Sequence, residues 1–136
     1  MSDTTLANLR VPPHSLEAEQ SVLGGLLLDN AAFDKIADVM AEGDFYRDEH
    51  KRIYRQIRKL LERGKPADAV TVAEGLDLAG EGNATGGLAY LGELAANTPS
   101  AANIRRYAEI VRERAILRLL VTAGDEIAGS ALNPLG

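Results

Sequence analysis

The sequence predicts an all-α fold, a compact head of about five short helices followed by one much longer helix. Three observations predict it. Apolar residues recur at three- and four-residue spacing in one segment after another, no stretch alternates with period two, and helix-starting and helix-stopping residues fall between the periodic segments. At 136 residues, 46% hydrophobic and 26% charged, the chain can bury one sizeable core and is too short for two ordinary domains.

Residues 1–13, MSDTTLANLRVPP, carry no periodicity and finish in a proline pair, so they read as a flexible N-terminal arm whose ordering needs a partner. Ser15 is a good N-cap for a first helix to about Asp29, with Glu17 and Glu19 in the first turn, where the helix dipole favours negative charge. Its main apolar stripe is Leu16, Val22, Leu23, Leu26 and Leu27. On the other side Ser21, Gly24, Gly25 and Leu28 make a second flank almost bare of side chains. Each glycine costs ~1 kcal/mol against alanine in a helix interior, and the close approach of another helix backbone would offset that cost. The approaching helix is either a neighbour in the same domain or another subunit.

Asn30 is the expected cap of a second helix carrying Phe33, Ile36, Ala37 and Met40 and stopping at Glu42 and Gly43, before a connector of Asp44, Phe45 and Tyr46. The most regular amphipathic segment is the third helix, roughly 48–63. His50, Ile53, Tyr54, Ile57, Leu60 and Leu61 share one face, and Gly64 then Pro66 end it. Thr71 and Glu74 have capping-box spacing for a short fourth helix, and the glycine-rich loop GEGNATGG at 80–87 releases into a fifth with Leu88, Leu91, Leu94 and Ala95, closed by Asn97 and Pro99. Ser100 or Asn103 caps the last and longest helix, to about Ala131. There Ile104, Ala108, Val111, Ala115, Leu119, Ala123 and Ile127 form a continuous stripe. Between Ile116 and Ala123 only Arg118 and Thr122 are polar, a surface that water alone cannot face and that something must cover. A helix of that length reaches some 40 Å and outruns a core of five short helices. The expected organisation is an arm at 1–13, a head at 14–99 and a long helix at 100–136, the terminal NPLG turn reading as a cut at a domain or hairpin boundary.

The net charge of −5 is unevenly spread: residues 47–65 hold eight Lys or Arg for a local +5, while 1–46 come to −6, 66–100 to −5 and 101–136 to +1. Lys51, Arg52, Arg55, Arg58 and Lys59, with Arg63 beyond them, line the third helix opposite its apolar side. Nucleic acid could bind such a face, or it could balance acids on neighbouring helices. There is no cysteine, so disulfides, thiolate nucleophiles and Cys-type zinc sites are excluded. ERGKP at 62–66 is no phosphate loop, because Lys59 and Pro66 stand where Gly and Ser or Thr are required. His14 and His50 have no metal-ligand spacing, and no catalytic, cofactor-binding or metal-binding constellation is expected. No apolar run approaches the ~20 residues of a membrane span and no secretory signal opens the chain, so the expectation is a cytoplasmic protein without membrane contact.

The stretches VPPHSLEAEQSVLGGLLLDN at 11–30, DFYRDEHKRIYRQI at 44–57, DAVTVAEGL at 68–76 and YLGELAANTPSAANIRRYAEIVRERAILRLL at 90–120 make the chain resemble the N-terminal domain of the DnaB family of bacterial replicative DNA helicases. The resemblance covers residues 11–132. It implies a helical head followed by a helical hairpin whose first arm is the long helix, in a chain that stops before the second arm, the linker helix and the ATPase motor. It further implies a self-associating collar in DNA replication, with dimers assembled three to a hexameric ring and primase and a helicase loader as partners. DNA contact and the cofactors ATP and Mg then belong mainly to the parent's motor, not to this fragment. No catalytic residue is transferred. The self-association face expected from the apolar stretch itself is Ile116, Leu119, Leu120, Ala123 and Ile127. The competing reading is a free-standing helical nucleic-acid-binding protein that uses helix 48–63.

Overall fold

The structure, a computed structural model, describes residues 11–134. Its helices are α1 (Leu16–Leu28), α2 (Phe33–Ile36), α3 (Asp48–Glu62), α4 (Ala69–Leu78), α5 (Gly82–Thr85), α6 (Gly87–Asn97) and α7 (Ile104–Leu132), with 3-10 turns at Asn30–Ala32 and Glu42–Asp44. No strand occurs among the described residues. Residues 1–10 of the expected arm lie outside them. Residues 11–13 run along the head, where the Pro13 carbonyl accepts a hydrogen bond from Arg118 Nη1 at 2.8 Å.

Ser15 caps α1 by accepting from the Ala18 N–H at 3.2 Å. Three local expectations need correcting. The turn after α1 is capped by Asp29, whose Oδ1 accepts from the Ala31 N–H at 3.1 Å. Asn30 is committed elsewhere: its amide donates to the carbonyls of Leu26 and Ala67 at 2.9 and 2.8 Å and accepts from the Ala67 N–H at 3.0 Å, so it staples the end of α1 to the α3–α4 connection. The expected second helix is therefore a 3-10 turn running into the single turn of α2, after which the chain bends to bury Met40. In α4 the cap is Asp68, not Thr71. Asp68 Oδ1 accepts from the Thr71 N–H and Thr71 Oγ1 from the Asp68 N–H, both at 2.9 Å, a reciprocal box one turn earlier than Thr71 and Glu74 would make. The third correction is in the glycine-rich loop, which contains the short helix α5.

Helix α1 lies at the centre, packed by α3, α6 and the first turns of α7, with α4 against α3 and α6. Its stripe of Val22, Leu23, Leu26 and Leu27 meets Ile53 and Ile57 of α3, Leu76 of α4, Leu91 of α6 and Ile104 and Val111 of α7 in one buried cluster. The glycine pair is explained on its other side. A Cβ on Gly24 would collide with the Thr98 hydroxyl and the Leu94 carbonyl, and one on Gly25 would sit 3.1 Å from Ile104 Cδ1 and 3.6 Å from Ala101 Cα. The corner between α6 and α7 thus passes directly over the bare flank, within the same chain. Of that flank, Ser21 is half-buried and Leu28 is exposed.

Helix α7 has 29 residues, ~43 Å of rod. Ile104, Ala108, Val111 and Ala115 are buried and complete the core of the head. From Ile116 onward every described residue except Arg118 is exposed.

Candidate self-association surface

The outward half of α7 exposes Ile116 and Leu117 at 42% and 43%, Leu119 and Leu120 at 66% and 63%, and Ile127 at 72%. Ile116, Leu119, Leu120, Ala123 and Ile127 follow i, i+3, i+4, i+7 and i+11, so they share one side of the rod, while Leu117, Val121 and Leu132 are exposed on a second side, turned away from that stripe. Isolated exposed leucines are ordinary, but a contiguous run of them along a projecting helix makes this stretch the candidate self-association surface.

The rod is held at a fixed angle by two arginines. Arg112 Nη1 donates to Asp44 Oδ1 at 2.9 Å, and Arg118 spends both ends of its guanidinium on the head, Nη1 on the Pro13 carbonyl and Nη2 on the Asp44 carbonyl at 2.6 Å. The same guanidinium lies 5.4 Å from the centre of the Tyr46 ring, which stacks on His14 at 4.3 Å. Asp44 is itself fixed, its Oδ2 accepting from the Ala41 N–H at 2.8 Å. By spacing alone Arg118 only interrupts the apolar stretch. A single arginine amid Ile116–Ala123, on a helix that must leave its head, is the signal that marks an anchor.

A buried polar chain stiffens the head on the far side of α1. Glu19 and His50 are 1% and 0% exposed, and His50 Nδ1 lies 2.8 Å from Glu19 Oε1. The Glu19 carboxylate also accepts from the backbone N–H groups of Tyr46 and Arg47 at 2.8 and 3.3 Å, so the histidine donates from Nδ1. In the neutral ring Nε2 then accepts from the Tyr90 hydroxyl at 2.6 Å, and that hydroxyl accepts from the Gln20 amide at 3.3 Å. Burial pushes the Tyr90 phenol above its usual pKa, which keeps it a donor. Every member is satisfied, and the chain ties α1, the entry to α3 and α6 together. The first-turn position of Glu19 predicts a dipole-compensating acid, but its spacing of three, four and seven from Val22, Leu23 and Leu26 places it on the buried stripe.

The basic face of α3 is largely spent inside the domain. Arg52 reaches Asp48 and Glu81 at 2.7 and 2.9 Å, Arg55 reaches Glu42 at 2.7 Å, and Arg58 reaches Glu42 and Glu62 at 3.4 and 3.3 Å. The hydrogen bond from Arg55 is the main reason the Glu42 carboxyl lies below the usual carboxylate range. Lys51 and Lys59 form no ion pair among the described residues, and they do not make the continuous stripe of free cations that a phosphate backbone needs. Among the described residues no group of three or more His, Cys, Asp or Glu is placed to hold a metal ion, and no helix is long and apolar enough to cross a membrane.

A family model described as the DnaB-like helicase N terminal domain matches residues 11–113. The chain is 44% identical over 135 residues to the replicative DNA helicase DnaB of Haemophilus influenzae and 48% identical over 126 residues to that of Pasteurella multocida. Those alignments take in 99% and 93% of this chain but 29% and 27% of the relatives, so the chain spans less than a third of their length. It is also similar to the crystal structure of the N-terminal domain of DnaB helicase from Mycobacterium tuberculosis, with a TM-score of 0.86 and 47% identity over 90% of this chain and 85% of that one. A DnaB-like replicative helicase solved with its interactions with primase shares the fold at a TM-score of 0.72 and 24% identity, over 89% of this chain and 28% of that one.

Proposed function

The chain belongs to the family of DnaB-like helicase N-terminal domains, and on that premise we propose that it is the collar of a replicative DNA helicase, which joins subunits and offers primase or a helicase loader a place to dock during DNA replication. The observation that carries this reading is the outward half of α7: an apolar rod, anchored by Arg112 and Arg118, with nothing among the described residues to cover it. Burying apolar area releases ~25 cal/mol per Å², and a stable pair needs roughly 1,200–2,000 Å² in all, so pairing of two such rods would draw on the flanks of the heads as well. In this reading three dimers close the ring, and unwinding with ATP and Mg belongs to a motor domain outside these 136 residues.

Sedimentation equilibrium tests the assignment. The wild type is expected to run heavier than one chain at micromolar concentration and to stay so in ~1 M salt, because screening weakens charge contacts and not apolar ones. Leu120→Asp with Ile127→Asp, both at exposed positions, is expected to run as a single chain with an unchanged helical spectrum. An oligomer whose mass ignores both substitutions would remove this face from the assembly. Adding the helicase-binding domain of primase in the same experiment tests the docking part.

A further inference from the structure

Removing the satisfied ion pairs from the basic segment leaves its charge concentrated in one place. Arg47, Arg52, Arg55 and Arg58 are held by carboxylates, whereas Lys51, Lys59, Arg63 and Lys65 form no ion pair among the described residues. Three of those four gather at the end of α3 and the turn after it. Lys59 complements the helix dipole, but Arg63 and Lys65 lie beyond the helix and are exposed.

Beside them opens a groove of about 300 Å³ between α3 and α4, chiefly apolar and lined by Leu60, Pro66 and Leu78, with Glu74 also bordering it. Leu78 is 84% exposed. Gly75, in the body of α4, is less favourable there than alanine by ~1 kcal/mol. The side chain of Gln56 lies where its Cβ would be, its Cγ 3.0 Å away, so the glycine lets the side chains of α3 lie flat against α4 and keeps the groove floor low.

We infer that this groove docks an acidic amphipathic segment of a partner protein. Leucine or phenylalanine side chains of the partner lie against Leu60, Pro66 and Leu78, and its carboxylates meet Arg63 and Lys65. Charge complementarity selects this occupant. The chain as a whole is at −5 and repels acidic partners, so an acidic segment is attracted only where positive charge remains unpaired. Nucleic acid fits less well, because no aromatic ring lines the groove for a base to stack on and three cations fall short of the roughly 6–10 phosphate contacts of a tight binder. No residue of α7 lines the groove, so this site stands or falls independently of the self-association rod.

The test is fluorescence anisotropy on the whole chain, using labelled helical peptides with leucine or phenylalanine at i, i+3, i+4 and i+7 and glutamate between, alongside the same peptides with lysine for glutamate and a labelled single-stranded oligonucleotide. The acidic peptides are expected to saturate at micromolar concentration, and Arg63→Glu with Lys65→Glu, or Leu78→Asp alone, to weaken them at least about tenfold. Lys51→Glu, away from the groove, is expected to leave binding within about twofold. All these positions are on the surface, and unchanged melting of each variant confirms that the fold is intact. The proposal is overturned if the lysine peptides bind as well as the acidic ones, if the groove variants bind like wild type, or if only the oligonucleotide binds. It is also overturned if Leu78→Asp changes the sedimentation mass, since a second copy of the chain would then occupy the groove.

Discussion

Two adjacent glycines in α1 perform the same service under different constraints. Gly24 faces backbone, the Leu94 carbonyl, as well as the Thr98 hydroxyl that donates to that carbonyl at 2.9 Å, whereas Gly25 faces the flexible end of Ile104. Alanine at either site gains ~1 kcal/mol of helix propensity, but at Gly24 the added methyl also meets the Leu94 backbone carbonyl, which cannot swing aside as the end of a side chain can. Gly24→Ala is therefore expected to lower unfolding stability by about 2 kcal/mol and Gly25→Ala to change it by less than about 1, as read by urea unfolding at fixed protein concentration. Equal losses at the two sites would mean that the α6–α7 corner yields as easily as a side chain.

At the scale of elements, α7 is one continuous helix with two unlike halves, and the join between them is electrostatic. Its first turns stay in place through Ile104, Ala108 and Val111 whatever happens beyond them. Arg118→Ala removes two charge-assisted hydrogen bonds to carbonyls and is expected to cost about 1–3 kcal/mol. Hydrogen exchange should localise the effect, with faster exchange at Tyr46 and Arg47 and unchanged protection at Ala108 and Val111. Arg118→Lys should not restore protection, because a single ammonium cannot span Pro13 and Asp44 as the guanidinium fork does.

For the whole molecule, acid stability depends on carboxylates that tie separate elements together. Glu42 joins the 3-10 turn before α3 to Arg55 and Arg58, and its folded pKa is lowered. Its contribution is therefore present above the unfolded carboxylate value and is lost as pH falls through the lower folded value. Glu42→Gln is expected to destabilise by about 0.5–1 kcal/mol near neutral pH, and the gap to wild type should close below about pH 4, in paired melts across that range. A gap independent of pH would assign the loss to shape and not to charge.

Much of this was legible in the residues themselves. The all-α class, the long helix and the stripes of α1 and α3 follow from apolar spacing alone, because burial of one face is what stabilises a helix of that length. The exposed stripe from Ile116 to Ile127 was readable for the same reason. Several assignments instead depended on residues distant in the chain: Asn30 could not be recognised as a staple without Ala67 beside it, nor Arg118 as an anchor without Pro13 and Asp44, nor Glu19 as a buried carboxylate without His50. Sequence by itself determined which faces must leave water, since hydrophobicity is a property each residue carries with it. Only tertiary structure decided where each polar group finds its partner, because a hydrogen bond depends on two atoms meeting in space.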